Sequence, residues 1–227
     1  MIIKSVTDIG STRKENQDNY WSALLNVDNS KAGVVCMCDG MGGLSNGGLA
    51  SSIIVKSVRE SILDGVDFSE IRGVIEKANE SIYKLSESGN KMGTTCTLLY
   101  CQDGKYEILH VGDSRCYMIS HSGIMLLTSD HSVINQYGIT PENNADLYEK
   151  YKSKLTRCLG VKPNVNIDKY KGNYEKGDMF LLCSDGFWHY FESSGYNINI
   201  DNLEECVQDC IKVYGETDNI SVSLLYT

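Results

Sequence analysis

The chain has 227 residues, 41% of them apolar and 22% charged, with a formal net charge of −9. That length suits one large domain better than two. No apolar run approaches the ~20 residues that a bilayer span needs, and the acidic balance argues against nucleic-acid partners. The nine cysteines are an odd number in a large chain and include no C-x-x-C pair. They read as core thiols of a reducing compartment rather than as a disulfide frame or a zinc site.

Met1-Ile2-Ile3-Lys4-Ser5-Val6-Thr7 alternates like a strand and lacks the apolar core of a signal peptide, so a cytoplasmic location is expected. Strands follow over Tyr20–Val27 and Val34–Cys38. Leu49, Ile53, Ile54, Val58 and Ile62 then form one helical stripe, and Phe68, Ile71, Val74, Ile75, Ala78, Ile82 and Leu85 another. Strands return at Thr95–Cys101 and Tyr106–Val111, joined by the hairpin signal Asp103-Gly104, and at Cys116–Ser120 and Ile124–Leu127. Val133–Leu155 is polar, charged and the least regular stretch, and reads as a flap. A strand at Met179–Cys183, a helix striped by Leu203, Cys206, Val207, Cys210, Ile211 and Tyr214, and a last strand at Ile220–Tyr226 complete the chain. Hairpin-spaced strands with helices in separate blocks predict an α+β fold of antiparallel sheets covered by helices. With two prolines and no linker, residues 1–227 read as a single domain.

Five aspartates stand at the ends of apolar runs or beside glycine or an amide: Asp18, Asp39, Asp130, Asp185 and Asp218. Carboxylates at strand ends cannot share a core unless paired or bound to metal, because isolated buried charge is costly. If they converge, the natural occupants are hard divalent cations with oxygen ligands. Asp64-Gly65 and Asp103-Gly104 are turn chemistry, whereas Asp39 and Asp185 each end an apolar strand. The glycine run Gly40–Gly48 is neither a dinucleotide fingerprint, since Ser45 stands at the third glycine position, nor a P-loop, since Leu49 follows Gly48 where lysine is required. Its glycines suit close backbone approach to a cation or phosphate. Arg13, near Asp18, is either a solvated surface residue or a planar fork for two phosphate oxygens. Asp113 and Arg115 read as a brace for a turn, and His131 as turn-forming. No G-x-S-x-G or cysteine-phosphatase loop is present, so the chemistry points to a metal-activated water.

In order, Gly10-Ser11-Thr12-Arg13 through Asn16-Gln17-Asp18, Cys38-Asp39-Gly40-Met41-Gly42-Gly43, Gly93-Thr94-Thr95, Val111-Gly112-Asp113-Ser114-Arg115, Thr128-Ser129-Asp130-His131-Ser132, Leu155-Thr156-Arg157-Cys158-Leu159-Gly160, Leu182-Cys183-Ser184-Asp185-Gly186 and Asp218-Asn219-Ile220-Ser221 resemble the metal-dependent serine/threonine protein phosphatases of the PPM family, the 2C type, in its bacterial stand-alone form. The resemblance implies a four-layer αββα sandwich of two antiparallel sheets flanked by helices. It implies two Mn²⁺ or Mg²⁺ ions, with Asp39 bridging them and the Gly40 carbonyl on one. Asp185 and Asp218 would serve the other ion, and Asp18 would hold metal-bound water. Asp130 would join Asp185 on a third, looser ion, and Arg13 would clamp the substrate phosphate. The implied reaction is hydrolysis of phosphoserine and phosphothreonine in phosphorylated proteins without a phosphoenzyme, opposing a serine/threonine kinase, by a monomer. Met41 stands where many eukaryotic members carry a histidine proposed as general acid, so the leaving-group proton must come from elsewhere. A weakly active binding module on the same scaffold, and a phosphatase of small-molecule phosphates, are the competing readings.

Overall fold

A computed structural model describes residues 1–41, 46–86, 91–195, 197–215 and 218–227. Among the described residues there are ten strands, most of them apolar, β-branched runs: β1 (Ile2–Asp8), β2 (Asn19–Val27), β3 (Ser30–Cys38), β4 (Cys96–Gln102), β5 (Lys105–Val111), β6 (Arg115–Ser120), β7 (Gly123–Leu126), β8 (Asp168–Asn173), β9 (Met179–Cys183) and β10 (Ile220–Tyr226). They pair antiparallel into two five-stranded sheets, ordered β1-β10-β9-β6-β7 and β2-β3-β4-β5-β8. β3 shows why the sequence makes such a sheet. Its run Val34-Val35-Cys36-Met37-Cys38 is apolar on both faces and buried throughout, as a central strand covered on both sides requires. The β4–β5 turn places Asp103 and Gly104 at positive φ, 48° and 73°, the backbone that the Asp-Gly pair predicted.

The helices are α1 (Gly47–Leu63), α2 (Ile71–Ser86), α3 (Val133–Tyr137), α4 (Pro141–Tyr151), α5 (Asp185–Ser193) and α6 (Leu203–Tyr214). Three apolar layers then account for the stacking. Between the sheets, Val35, Met37, Leu99 and Ile108 meet Phe180, Leu182 and Leu225. α1 and α2 lay Ile54, Val58, Ile75 and Ile82 on the outer face of the β2-containing sheet. α5 and α6 lay Phe187, Phe191, Leu203 and Val207 on the other sheet. Each such fully buried side chain contributes about 1.5–3 kcal/mol. The result is the αββα sandwich that the sequence led us to expect.

Three elements depart from the sequence reading. β8 carries Asp168-Lys169-Tyr170-Lys171-Gly172-Asn173, too polar for a strand signal, and forms only because β5 pairs with it at the sheet edge. Its exposed lysines suit an edge that must not recruit another strand. The stretch Val133–Leu155 is not irregular, since it contains α3 and α4. Ser132 caps α3, and Thr140 and Asn143 form a reciprocal capping box in front of Pro141. Neither helix buries a residue, which is why no apolar stripe announced them. α5 begins at Asp185 itself, so that residue ends a strand and opens a helix at once.

Candidate active site

Antiparallel order brings the chemistry to one rim of the sandwich. Asp39 follows β3, Asp113 follows β5 by one glycine, Asp185 follows Ser184 after β9, and Asp18 and Asp218 precede β2 and β10. Asp39 is fixed by its backbone: its N–H donates to Thr95 Oγ1 at 2.9 Å, and its carbonyl accepts from the Thr95 N–H at 2.9 Å and Thr94 Oγ1 at 2.8 Å. Asn219 ties the N-terminal loop to Asp218. It accepts from the Gln17 N–H at 2.9 Å, and its amide donates to the carbonyls of Ile9 and Glu15 at 2.8 and 3.0 Å. Gly40 permits the close packing this rim needs, because a Cβ there would stand 2.5 Å from both the Gln17 carbonyl oxygen and Gly47 C. Gly112 is held at φ 115°, with no room for a Cβ beside Thr95, and so turns β5 into Asp113.

The carboxylates at this rim repel one another. Burial, then Asp18, Asp185, Asp113 and Asp218, push Asp39 well above the ordinary carboxylate range. Asp113 is raised well above it by burial and then by Asp185 and Asp130. Burial and Asp218 push Asp185 up to about 6, offset in part by a hydrogen bond with Asp39 and by Arg13. Burial pushes Asp18 up to about 7, against the pull of the Ser184 and Ser221 hydroxyls. Neither hydroxyl is in hydrogen-bonding geometry with it, and both Asp18 oxygens are buried without a partner among the described residues. Such orphaned acceptors are rare in folded proteins and need an explanation.

A divalent cation fits that explanation. The donors are hard oxygens, and their raised pKa values are what crowded, unneutralised carboxylates show. No three of these carboxylates bring one oxygen each within 4.8 Å of one another among the described residues, so the donors are spread more widely than one three-carboxylate shell. The trio that does meet that spacing is Cys36, Cys38 and Cys96.

Two expected roles look different in place. Arg13, the expected phosphate clamp, turns its fork onto Asp218, with Nε at 2.5 Å from Oδ1 and a second bond from Nη2 to Oδ2. Asp130, the expected ligand of a third ion, gives its carboxylate to Arg115, with Nη2 at 2.7 Å and Nε at 3.1 Å. Arg115 is itself braced by Glu192 at 2.8 Å, the Tyr117 hydroxyl at 3.2 Å and the face of Trp188 at 3.4 Å. Asp113 is the rim carboxylate that the sequence reading missed. Gly112 just before it was the available signal, because a glycine at a strand end next to an acid is the pattern of Asp39 and Asp185 as well. In the glycine run, Gly42, Gly43, Leu44 and Ser45 lie outside the described residues.

Residues 11–216 match the family described as Protein phosphatase 2C. The serine/threonine phosphatase stp of Listeria welshimeri is 32% identical over 237 residues, covering 96% of this chain and 93% of that one. The solved serine/threonine phosphatase of S. agalactiae superposes with a TM-score of 0.82 at 30% identity, covering 100% of this chain and 99% of that one. The catalytic domain of the phosphatase PstP, solved in complex with two manganese ions, shares the fold at a TM-score of 0.79 and 22% identity, over 98% of this chain and 96% of that one. The sandwich is therefore that of a serine/threonine protein phosphatase. The chain belongs to the protein phosphatase 2C family, in its bacterial PPM form.

Proposed function

We propose that this phosphatase hydrolyses phosphoserine and phosphothreonine in proteins at the rim formed by Asp18, Asp39, Asp185 and Asp218, using two divalent cations, Mn²⁺ or Mg²⁺. The observation that carries the reading is Asp18, a buried carboxylate with neither oxygen partnered and its pKa pushed up to about 7. Asp39 and the Gly40 carbonyl would hold one ion. Asp39, Asp185 and Asp218 would hold the other, with Asp18 placed to order water beside them. When bound, two such ions supply charge neutralisation on the phosphoryl oxygens and activate a water for in-line attack on phosphorus.

The chain's own residues do the rest. The Thr94, Thr95 and Asn219 hydrogen bonds fix the backbone on either side of the rim from which Asp39 and Asp218 project, which preorganises the site. Arg13 is 40% exposed at the mouth, and its planar fork suits two phosphate oxygens once a cation takes over the charge of Asp218. Met41 offers no proton, so the leaving group would take its proton from another residue or from water at the rim. Asp130 is already neutralised by Arg115, and a third ion there would have to displace that guanidinium.

No described helix is long and apolar enough to cross a membrane. We assign the protein to a bacterial cytoplasm as a monomer opposing a serine/threonine kinase, the setting in which phosphorylated proteins are its substrates. The test is phosphate release from a phosphothreonine peptide as Mn²⁺ is titrated, with Asp185→Asn alongside. Saturable release that collapses in the variant is expected. Equal release by both, or none from folded parent at any metal concentration, would overturn the reading.

A further inference from the structure

A cluster of three thiols lies immediately behind the acidic rim. Cys36 and Cys38 share one face of β3 because strand side chains alternate, and Cys96 is the first residue of β4. The register that pairs Met37 with Thr97 sets Cys38 opposite Cys96. Thr95 N–H donates to the Asp39 carbonyl at the next rung. Hydrogen-bonded and non-hydrogen-bonded pairs alternate along an antiparallel ladder, so Cys38 and Cys96 form a non-hydrogen-bonded pair, the kind whose side chains approach most closely. Cys36 stands on the diagonal of the same face, still within side-chain reach. The three sulfurs lie within 4.8 Å of one another, and the residues are 0%, 0% and 2% exposed.

Strand geometry brings the three sulfurs together, and the resulting spacing suits a shared ion. A cation bound by three sulfurs at about 2.3 Å each would set them roughly 4 Å apart, inside the observed limit. Thiolates select soft ions such as Cu(I), zinc and iron–sulfur clusters. Structural zinc takes four protein ligands, and no fourth His, Cys, Asp or Glu joins this trio among the described residues. The surrounding layer, with Val34, Ile54, Val58 and Leu98, is apolar. A monovalent ion held by one thiolate, with the other two sulfurs as neutral thiol donors, enters as one thiol proton leaves, keeps the layer neutral and avoids the cost of isolated buried charge. We propose that Cys36, Cys38 and Cys96 form a three-sulfur binding site for a soft monovalent cation, Cu(I). The site is joined to the acidic rim by two direct links. Cys38 is the chain neighbour of Asp39, and Cys96 is the neighbour of Thr95, whose Oγ1 accepts from the Asp39 N–H.

The proposal does not depend on the phosphatase reading, and its test reads metal rather than turnover. Reduced protein carrying Cys158→Ala, which removes the one thiol that is only half-buried, is titrated anaerobically with Cu(I) against the chelator bathocuproine disulfonate. One ion withdrawn per chain, with release of one proton, is the expected result. Cys36→Ala, Cys38→Ala and Cys96→Ala should each weaken uptake by more than the about tenfold lost with an outer-shell partner. X-ray absorption at the copper edge of the loaded protein should show three sulfur neighbours, a measurement that needs none of the three cluster variants to fold. Two sulfurs, oxygen or nitrogen neighbours, unchanged uptake after Cys96→Ala, or no uptake by the folded protein would each overturn the site.

Discussion

Asp18 and Asp130 both bury their carboxylates at the acidic end of the sandwich, and the protein treats them in opposite ways. Asp130 has an 8% exposed side chain gripped by the Arg115 fork, which Glu192, Tyr117 and Trp188 hold in turn. Asp18 is 7% exposed, has no partner for either oxygen among the described residues, and is pushed up to about 7. Where negative charge is structural, the chain supplies its own cation. At Asp18, beside the proposed cations, it leaves the carboxylate uncompensated among the described residues and accepts the cost in stability. The contrast separates an aspartate that braces from one whose charge is left open, as the proposed function requires.

The sharpest way to break the contrast is to remove a carboxylate on each side of it. Asp39→Asn should lower phosphate release on the order of 10³-fold, the several kcal/mol that metal-assisted charge stabilisation supplies. Asp130→Asn, assayed as folded protein at saturating Mn²⁺, should stay within about threefold of the parent, a loss below about 1 kcal/mol of transition-state stabilisation, because Asp130 braces Arg115 and is not placed on the substrate. Equal loss in both would erase the distinction.

Stability should respond in the opposite order. Arg115→Met leaves Asp130 buried without its cation, and urea unfolding should show a loss of about 3–5 kcal/mol. An unchanged midpoint would mean that Asp130 is rehydrated at no cost.

A pH series in chelator sharpens the Asp18 side. With folded-state pKa values of about 7 for Asp18 and about 6 for Asp185, both above the ordinary carboxylate value, the metal-free folded protein binds more protons than the unfolded chain between about pH 4 and 7. Its stability therefore falls as pH rises through that window. His110, held neutral with its pKa pushed down to about 3 by burial, acts in the opposite direction below its unfolded pKa. The difference between parent and Asp18→Asn is thus the informative quantity. At pH 8 the variant should be the more stable by about 1–3 kcal/mol, and at pH 4 the two should coincide. A constant difference across pH would count against a strained Asp18 carboxyl.

Smallest is Arg13→Lys. It exchanges a planar fork for a point charge, and KM for a phosphothreonine peptide should rise about tenfold while kcat changes less. A fall in kcat alone would place Arg13 with the reacting atoms rather than with phosphate binding.

Much of this was readable from local sequence. The apolar runs of β3 and β9, the Asp103-Gly104 hairpin and the stripes of α1, α2 and α6 report themselves, because alternation and 3.6-residue periodicity are local properties. β8 could not be read so, since Lys169-Tyr170-Lys171 becomes a strand only through its register with β5. α5 was hidden by its own start, where Asp185-Gly186 resembles a turn and the Phe187, Trp188, Phe191 face is short. Asp113 was read as part of a brace with Arg115, yet the chain splits that pair: Asp113 joins the acidic rim, while Arg115 turns to Asp130.

The sequence by itself determined the antiparallel sheets, the covering helices and the set of carboxylates available for metal, because each follows from neighbours a few residues apart. Tertiary structure alone decided which carboxylates are left without a partner. Asp18 meets the Asp218 loop across some 200 residues through Gln17 and Asn219, Arg13 reaches Asp218 over a similar span, and Arg115 chooses Asp130 over its near neighbour Asp113. Charge compensation depends on distance in space and on burial, and neither is set until two sheets have closed on each other.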